Sequence, residues 1–246
     1  MKILKIASLD CVKKQSEIIK KSVIENGAII LRGIFDPNDM KTSLNFLYNA
    51  LDGMPILGTT QGTRESVRKN TLKWSVGGST GAQKGNARFM LTAYNPIFED
   101  DIYGFRSNFI RLIQIRDAIR GDQKTTNDDS LSYQSFNACR FQVYPRGGGF
   151  MLGHRDYVAE QASLQQNAPL LQLLLFVTKR GVDFMTGGAY LVHDGQKIDI
   201  ENLALPGDIV IYDGRSHHGV DDVDSEVPLD TTQIRGRVVA LVTIYQ

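Results

Sequence analysis

The sequence predicts an α+β chain that is mainly β, with helices first and strands after them, and three observations carry that expectation. Helical periodicity is confined to the first half of the chain. After Tyr133 the apolar residues come in short runs separated by Gly, Pro, Asp and Asn. The two patterns do not alternate along the chain, which argues against a parallel α/β fold and for an antiparallel sandwich or barrel braced by helices on one outer face.

Each element follows in order. Residues 12–26 place Val12, Ile18, Ile19, Val23 and Ile24 near one face of a helix, with Asn26-Gly27 as its stop. The run GAIILRGIF, from Gly27 to Phe35, reads as a buried strand, and Asp36-Pro37 opens a second helix running to about Leu51. Residues 53–95 are rich in Gly, Thr, Ser and Arg and read as a long loop, a feature that in compact domains is usually functional or mobile. A third helical pattern spans 101–120 and ends at Gly121, and a polar link leads to the β-rich part. There, NACRFQVYP, LLQLLLFVT, GGAYLVHDG, QKIDI, GDIVIYDG and IRGRVVALVTIY each read as a strand. A chain of 246 residues accommodates all of this in one domain, with 1–132 as helical support and variable lid region and 133–246 as the β core.

Composition narrows the function classes. Hydrophobic residues at 42% and charged residues at 22% are globular usage, and a net charge of +1 provides no field that would draw in nucleic acid. The run of Lys13, Lys14, Lys20 and Lys21 reads as the wet face of a helix. Neither a secretion signal nor a membrane-length apolar run is visible, the richest run, Leu170 to Val177, being strand-sized. Cys11 and Cys139 lie far apart and match no metal or redox spacing, so they are expected to be reduced thiols in a cytoplasmic protein.

The chemistry is concentrated around the histidines, of which there are four: His154, His193, His217 and His218. In Gly153-His154-Arg155-Asp156 the i, i+2 spacing on an extended segment turns the imidazole and the carboxylate to one side. Ser216-His217-His218-Gly219-Val220 follows the apolar strand around Asp208 to Tyr212. Two ligands from one strand and a third from a distant one make a 2-His-1-carboxylate set, which suits iron(II) because three coordination positions stay open. A lone His-x-Asp arises readily by chance, so the surrounding order of motifs must carry the reading.

That order resembles the double-stranded β-helix (jelly-roll, cupin-like) core of the iron(II)/2-oxoglutarate-dependent oxygenases. The resemblance spans about Asn137 to Gln246. Tyr144-Pro-Arg-Gly-Gly-Gly-Phe-Met-Leu-Gly-His154 resembles the lead-in of the prolyl-hydroxylase-like branch. Gly187-Gly188-Ala-Tyr-Leu and Pro206-Gly207-Asp208-Ile-Val-Ile resemble its inner-strand and pre-His segments. The resemblance implies iron(II) on His154, Asp156 and His218, with 2-oxoglutarate and O₂ as co-substrates and succinate and CO₂ as products. His218 is preferred to His217 because His-Gly-Val resembles the distal motif. His193, in His-Asp-Gly, reads as an exposed hairpin residue.

On IRGRVVALVTIY, Arg235, Arg237, Val239, Leu241 and Thr243 share one face, so either arginine can point inward and hold the distal carboxylate of 2-oxoglutarate. Gly-Arg before the apolar run selects Arg237 over Arg235. On the first core strand Cys139, Phe141 and Val143 are expected to face the helices while Arg140, Gln142 and Tyr144 line the interior, making Tyr144 and Gln142 candidate 2-oxoglutarate contacts. The resemblance implies hydroxylation, or a related desaturation or cyclisation, because halogenating members lack the carboxylate that Asp156 supplies. The expected substrate is a small-molecule metabolite. Arginines 64, 68, 88, 140 and 155 are candidate anion contacts, and Trp74 to Asn86, with Arg88 and Tyr94 beyond it, is the candidate region for a lid or for substrate contacts. A cupin-type metal or small-ligand sensor would share the histidines without needing Arg237 or Tyr144. A nucleic-acid demethylase on the same core is disfavoured by the near-neutral charge.

Overall fold

The computed structural model describes residues 1–52, 66–77, 87–121, 136–156 and 170–245. Its element order is β1 (Lys2–Lys5), α1 (Leu9–Lys14), α2 (Ser16–Asn26), β2 (Ala28–Arg32), α3 (Pro37–Leu51), β3 (Leu72–Gly77), β4 (Arg88–Tyr94), α4 (Arg106–Arg120), β5 (Phe136–Pro145), β6 (Gly149–His154), β7 (Leu171–Phe176), β8 (Gly188–His193), β9 (Gln196–Asp199), β10 (Ile209–Asp213), β11 (His218–Val223) and β12 (Gly236–Tyr245).

Two of the helices, α1 and α3, begin where side chains cap them. Ser8 Oγ accepts a hydrogen bond from the Cys11 amide, and Asp36 Oδ1 accepts one from the Asn38 amide beside Pro37 in the first turn of α3. The helix expected over 12–26 is two helices, because Gln15 leaves helical geometry at φ −111°. β1 was not expected. Its four residues carry no readable period, and it is held by parallel pairing with β2.

The strands run in the order β1-β2-β10-β7-β12-β5-β4-β6-β11-β8-β9, with β3 on β4. This sheet folds over on itself. The wall β2-β10-β7-β12-β5-β4 packs Ile29, Leu31, Leu173, Leu175, Phe141 and Val238 on its outer side with Val12, Ile19, Leu47, Phe109 and Leu112 of the four helices. On its inner side, Ile30, Val210, Phe176, Val239 and Leu241 meet Leu191 and Ala189 of β8. Two apolar layers therefore sandwich the wall, and each large side chain withdrawn from water contributes about 1.5–3 kcal/mol. The result is the double-stranded β-helix, braced by helices on one face.

One expectation needs correction. The supposed loop over 53–95 contains a hairpin, β3 against β4, in the register Trp74↔Leu91. Leu72, Trp74 and Val76 alternate with Lys73 and Ser75, a period-two signal masked by the Gly- and Thr-rich context. Among the described residues eight strands follow residue 133, two beyond the six runs legible in the sequence: β6 (GFMLGH) and β11 (HGVDDV) lack the apolar runs that mark the others.

Buried charges fasten the ends of the strands that matter most. Arg32 grips Asp208 through Nε and Nη2 at 2.7–3.1 Å, tying the start of β10 to β2. Asp224, just after β11 and 2% exposed, accepts from the amides of Met185 and Thr186, both at 2.7 Å, and from Arg146 Nε at 2.7 Å. It thereby joins the end of β11 to the turn leading into β6. Asp224→Ala strips that node of its three charge-assisted hydrogen bonds, so a loss of roughly 2–4 kcal/mol is expected in urea unfolding.

Candidate metal centre

The two strands that sequence patterning missed carry the histidines. β6 ends on His154, β11 begins on His218, and the antiparallel register sets the two residues opposite each other. Their ring centroids are 4.4 Å apart. Asp156 follows two residues on, its amide donating to the Gly214 carbonyl at 2.9 Å. Its Oδ1 lies 3.7 Å from His154 Nε2 and 4.0 Å from His218 Nε2, and the three ligand atoms all fall within 4.8 Å of one another.

Backbone contacts fix which nitrogen faces the centre. His154 Nδ1 lies 2.9 Å from the Leu152 carbonyl and His218 Nδ1 lies 2.8 Å from the Ser216 carbonyl. A carbonyl only accepts, so each Nδ1 carries the hydrogen and each Nε2 turns its lone pair toward the centre that it shares with Asp156 Oδ1. Gln172 Nε2 donates to Asp156 Oδ2 at 2.9 Å, which leaves Oδ1 toward the histidines. Two imidazole nitrogens and one carboxylate oxygen on adjoining segments, each with its orientation held, suit a divalent first-row metal with open positions.

Glycines make room for this packing. At Gly153 a Cβ would collide with the His217 ring and the Tyr190 hydroxyl, and at Gly214 it would sit 2.7 Å from Asp156 Oδ2.

The structure brings His154, Asp156 and His218 together and leaves His217 apart. The His217 ring lies against Gly153 and 6.3 Å from the Tyr190 ring, on the other face of β11. His193 differs from its expected exposed position: it is partly buried against Gly27, with Nε2 3.2 Å from the Glu25 carbonyl.

Burial pushes the His218 imidazole below its ordinary value of 6.5, against the attraction of Asp156 and with help from the charge of His154. The unfolded chain therefore takes up this proton first. Stability of the metal-free protein is expected to be full above pH 6.5 and to fall as the pH drops below it, measured as urea midpoints between pH 8 and 5.

A second polar group lies inside the same sandwich. Arg237 is opposite Tyr144 in the β12–β5 register and is 1% exposed. Its Nε donates to Glu201 Oε1, its guanidinium lies 5.2 Å from the ring centroids of both Tyr144 and Phe176, and its Nη2 is buried without a partner. A buried guanidinium N–H with no acceptor is costly unless a ligand supplies one, and a carboxylate fits the donor. Tyr144 donates its hydroxyl to Gln142 Oε1 at 3.3 Å, and burial raises its pKa against the positive charges of Arg237, Arg88 and Arg140.

Arg235, the other candidate, does not share this interior. It precedes β12, pairs with Asp52 at 2.7 and 3.0 Å and lies over the Tyr48 ring at 4.4 Å. Gly236, at φ +152°, breaks the alternation that would have placed both arginines on one face.

The remaining candidates scatter. Arg68 lies over the Phe136 ring and Arg155 is exposed, whereas Arg88 and Arg140 are half-buried. Trp74 packs in the helix-side core and Tyr94 in a small cluster with Val67, Phe136 and Ala138. Arg64 and residues 78–86 of the expected lid lie outside the described residues.

Sequence reasoning missed Gln172, Glu201 and Tyr212. A lone amide in LLQLLLF was a usable signal for Gln172, since a buried amide in an apolar strand needs a partner. Tyr212, its ring 4.8 Å from that of His218, reads as an ordinary core tyrosine. Nothing local marks Glu201, which is buried beneath Gly188.

No family model matches the chain, and no curated protein matches it in sequence. What fold and site define together is a double-stranded β-helix protein with a 2-His-1-carboxylate cluster. Solved structures share that fold at low identity. The prolyl hydroxylase of Trichoplax adhaerens, in complex with a hypoxia-inducible-factor peptide fragment, aligns with a TM-score of 0.56 at 12% identity, covering 95% of this chain and 91% of its own. A full-length Neurospora crassa protein in complex with α-ketoglutarate gives 0.54 at 14%, covering 98% and 84%. A Pseudomonas putida prolyl-4-hydroxylase gives 0.51 at 14%, covering 92% and 98%. The fold is thus one that this chain shares with these two prolyl hydroxylases and with the α-ketoglutarate-bound Neurospora crassa protein.

Proposed function

We propose that the protein is an iron(II)- and 2-oxoglutarate-dependent dioxygenase that hydroxylates, desaturates or cyclises a small-molecule metabolite. The observation that carries this reading is the pairing of a His154–Asp156–His218 cluster with an unpartnered, buried Arg237 N–H inside one β-sandwich. When bound, iron(II) with 2-oxoglutarate and O₂ supplies the oxidising power, with succinate and CO₂ released.

The chain's own residues do the rest. His154, His218 and Asp156 would hold the metal on one side, leaving the opposite positions for co-substrates. Gln172 keeps Asp156 aimed. Arg237 would take the distal carboxylate of 2-oxoglutarate, with Tyr144 and Gln142 beside it on the same wall. The apolar shell of Phe176, Val239 and Leu191 keeps bulk water from the interior.

A cupin-type sensor accounts for the metal cluster but not for the unpartnered Arg237 donor. No helix among the described residues is long and apolar enough to cross a membrane, and the free thiols Cys11 and Cys139 fit a cytoplasmic setting. The test is anaerobic titration of the purified protein with iron(II) and then 2-oxoglutarate. A visible charge-transfer band is expected on the second addition, followed by O₂-dependent succinate release, and its absence sinks the reading.

A further inference from the structure

The sheet wall facing the metal strands carries cations that 2-oxoglutarate binding does not use. Register fixes where they sit. Lys73 is opposite Thr92, Thr92 opposite Gln142, and Gln142 opposite Val239. Tyr94 is opposite Arg140, and Arg140 opposite Leu241. Residues directly opposed across a ladder share a face, and Val239 and Leu241 belong to the interior cluster. The alternate residues Trp74, Leu91 and Phe141 pack toward the helices. Lys73 and Arg140 therefore face the interior that holds Arg237.

Their level along the barrel is also set. β5 ends at Pro145 and β6 begins at Gly149 after a tight turn. Arg140 reaches the level of the metal residues through Tyr212, whose ring lies 4.8 Å from that of His218 and whose hydroxyl feels the charges of both Asp156 and Arg140. Arg237, opposite Tyr144, is nearer the turn.

The electrostatics of this wall are unbalanced. Among the described residues neither Lys73 nor Arg140 takes part in an ion pair. Arg140 donates to neutral oxygens, Thr243 Oγ1 at 2.7 Å and the Ala138 carbonyl at 3.3 Å. Burial, and then the positive charges of Arg88 and Arg140, hold the Lys73 ammonium below its ordinary range. The charge of Arg140 also reaches the Tyr144 and Tyr212 hydroxyls, and Tyr212 feels Asp156 as well, so these groups share one interior. Half-buried like charges disfavour the folded state unless an anion joins them. Arg237 differs, since Glu201 already neutralises it.

We propose that Lys73 and Arg140 form a seat for an anionic group of the substrate, a carboxylate or a phosphate, separate from the seat that Arg237 offers. The substrate is then a small organic acid or phosphate ester, anchored by its anion on this wall with its carbon skeleton toward His154 and His218. Calling the ligand a substrate rests on the oxygenase reading, whereas the anion seat itself does not.

The test uses sulfate as probe, titrated calorimetrically into the metal-free protein and into protein loaded with manganese(II) and 2-oxoglutarate. Saturable binding is expected in both, weakened about tenfold or more by Lys73→Met or Arg140→Gln and largely kept by Arg140→Lys. Melting temperatures and 2-oxoglutarate affinity should stay close to wild type. Failure of sulfate to bind, binding unchanged in both variants, or binding lost only in Arg237→Gln overturns the proposal. A second arm follows succinate release with free carboxylic acids, phosphate monoesters and their neutral amides or alcohols. Stimulation by acids or by phosphates is expected, each identifying its own anion class, with KM raised more than kcat is lowered in the variants. Equal stimulation by the neutral analogues overturns it. Absence of the charge-transfer band in wild type counts against the oxygenase reading, while the sulfate result still decides the seat.

Discussion

Alanine at His154 or Asp156 is expected to abolish the charge-transfer band and to lower iron(II) affinity by about 100-fold or more, with succinate release falling to background. The physical reason is that three side chains would share the metal and, among the described residues, none beside them is placed to take over. His217 lies on the opposite face of β11, and the other carboxylate of the neighbouring loop, Asp213, is engaged by Arg215. The two variants should differ in stability. His154→Ala removes a partly exposed ring, whereas Asp156→Ala also deprives Gln172 of its acceptor in an otherwise apolar strand. Iron content after anaerobic loading, read beside the melting temperature, separates loss of metal from loss of fold. An Asp156→Ala protein that still shows the band would overturn the ligand assignment.

Arg237→Gln is expected to weaken 2-oxoglutarate binding by roughly 10–100-fold, the value of one charge-assisted hydrogen bond in a buried site, while iron(II) affinity stays near wild type. Titrating the band against 2-oxoglutarate measures the first and metal analysis the second. The single variant carries a complication that the structure makes explicit: it leaves the Glu201 carboxylate buried without its cation, at a cost of about 3–5 kcal/mol. The double variant Arg237→Gln, Glu201→Gln should recover most of that stability and none of the affinity. If the double variant regains tight 2-oxoglutarate binding, Arg237 is not the carboxylate donor.

The fold class was legible because β5, β7, β10 and β12 are apolar runs long enough to declare themselves, α3 carries a conventional start at Asp36-Pro37 and α4 a conventional stop at Gly121. β6 and β11 were not legible as strands for a reason connected with function. A strand that must present a ligand beside glycines, with water at its mouth, cannot also be a continuous apolar run. Their histidines were found by spacing and motif order instead, so the site was recognised before the elements that carry it. The hairpin β3–β4 was hidden by the Gly- and Ser-rich sequence around it, although Leu72-Lys73-Trp74-Ser75-Val76 alternates cleanly. Arg235 was placed on the wrong face because strand alternation was extended across Gly236, where the backbone turns. Glu201 was beyond reach of any local rule, since its partner Arg237 is 36 residues away and is brought to it by the closure of the sheet.

The hydrogen bonds from His154 and His218 to carbonyls only two residues back have a further consequence. Each imidazole is oriented by its own strand and not by the metal, and the strands are held in register by the ladder and by Asp224. The centre is a finished socket, in contrast to a zinc finger, where the ion organises the chain. Exhaustive chelation should leave the circular dichroism and the cooperativity of unfolding intact, and re-addition of iron(II) should restore the band without a refolding lag. Metal exchange in such a protein is a surface event governed by access to the mouth of the barrel, so its lifetime as a holoprotein is set by how fast the ion leaves an otherwise unchanged scaffold.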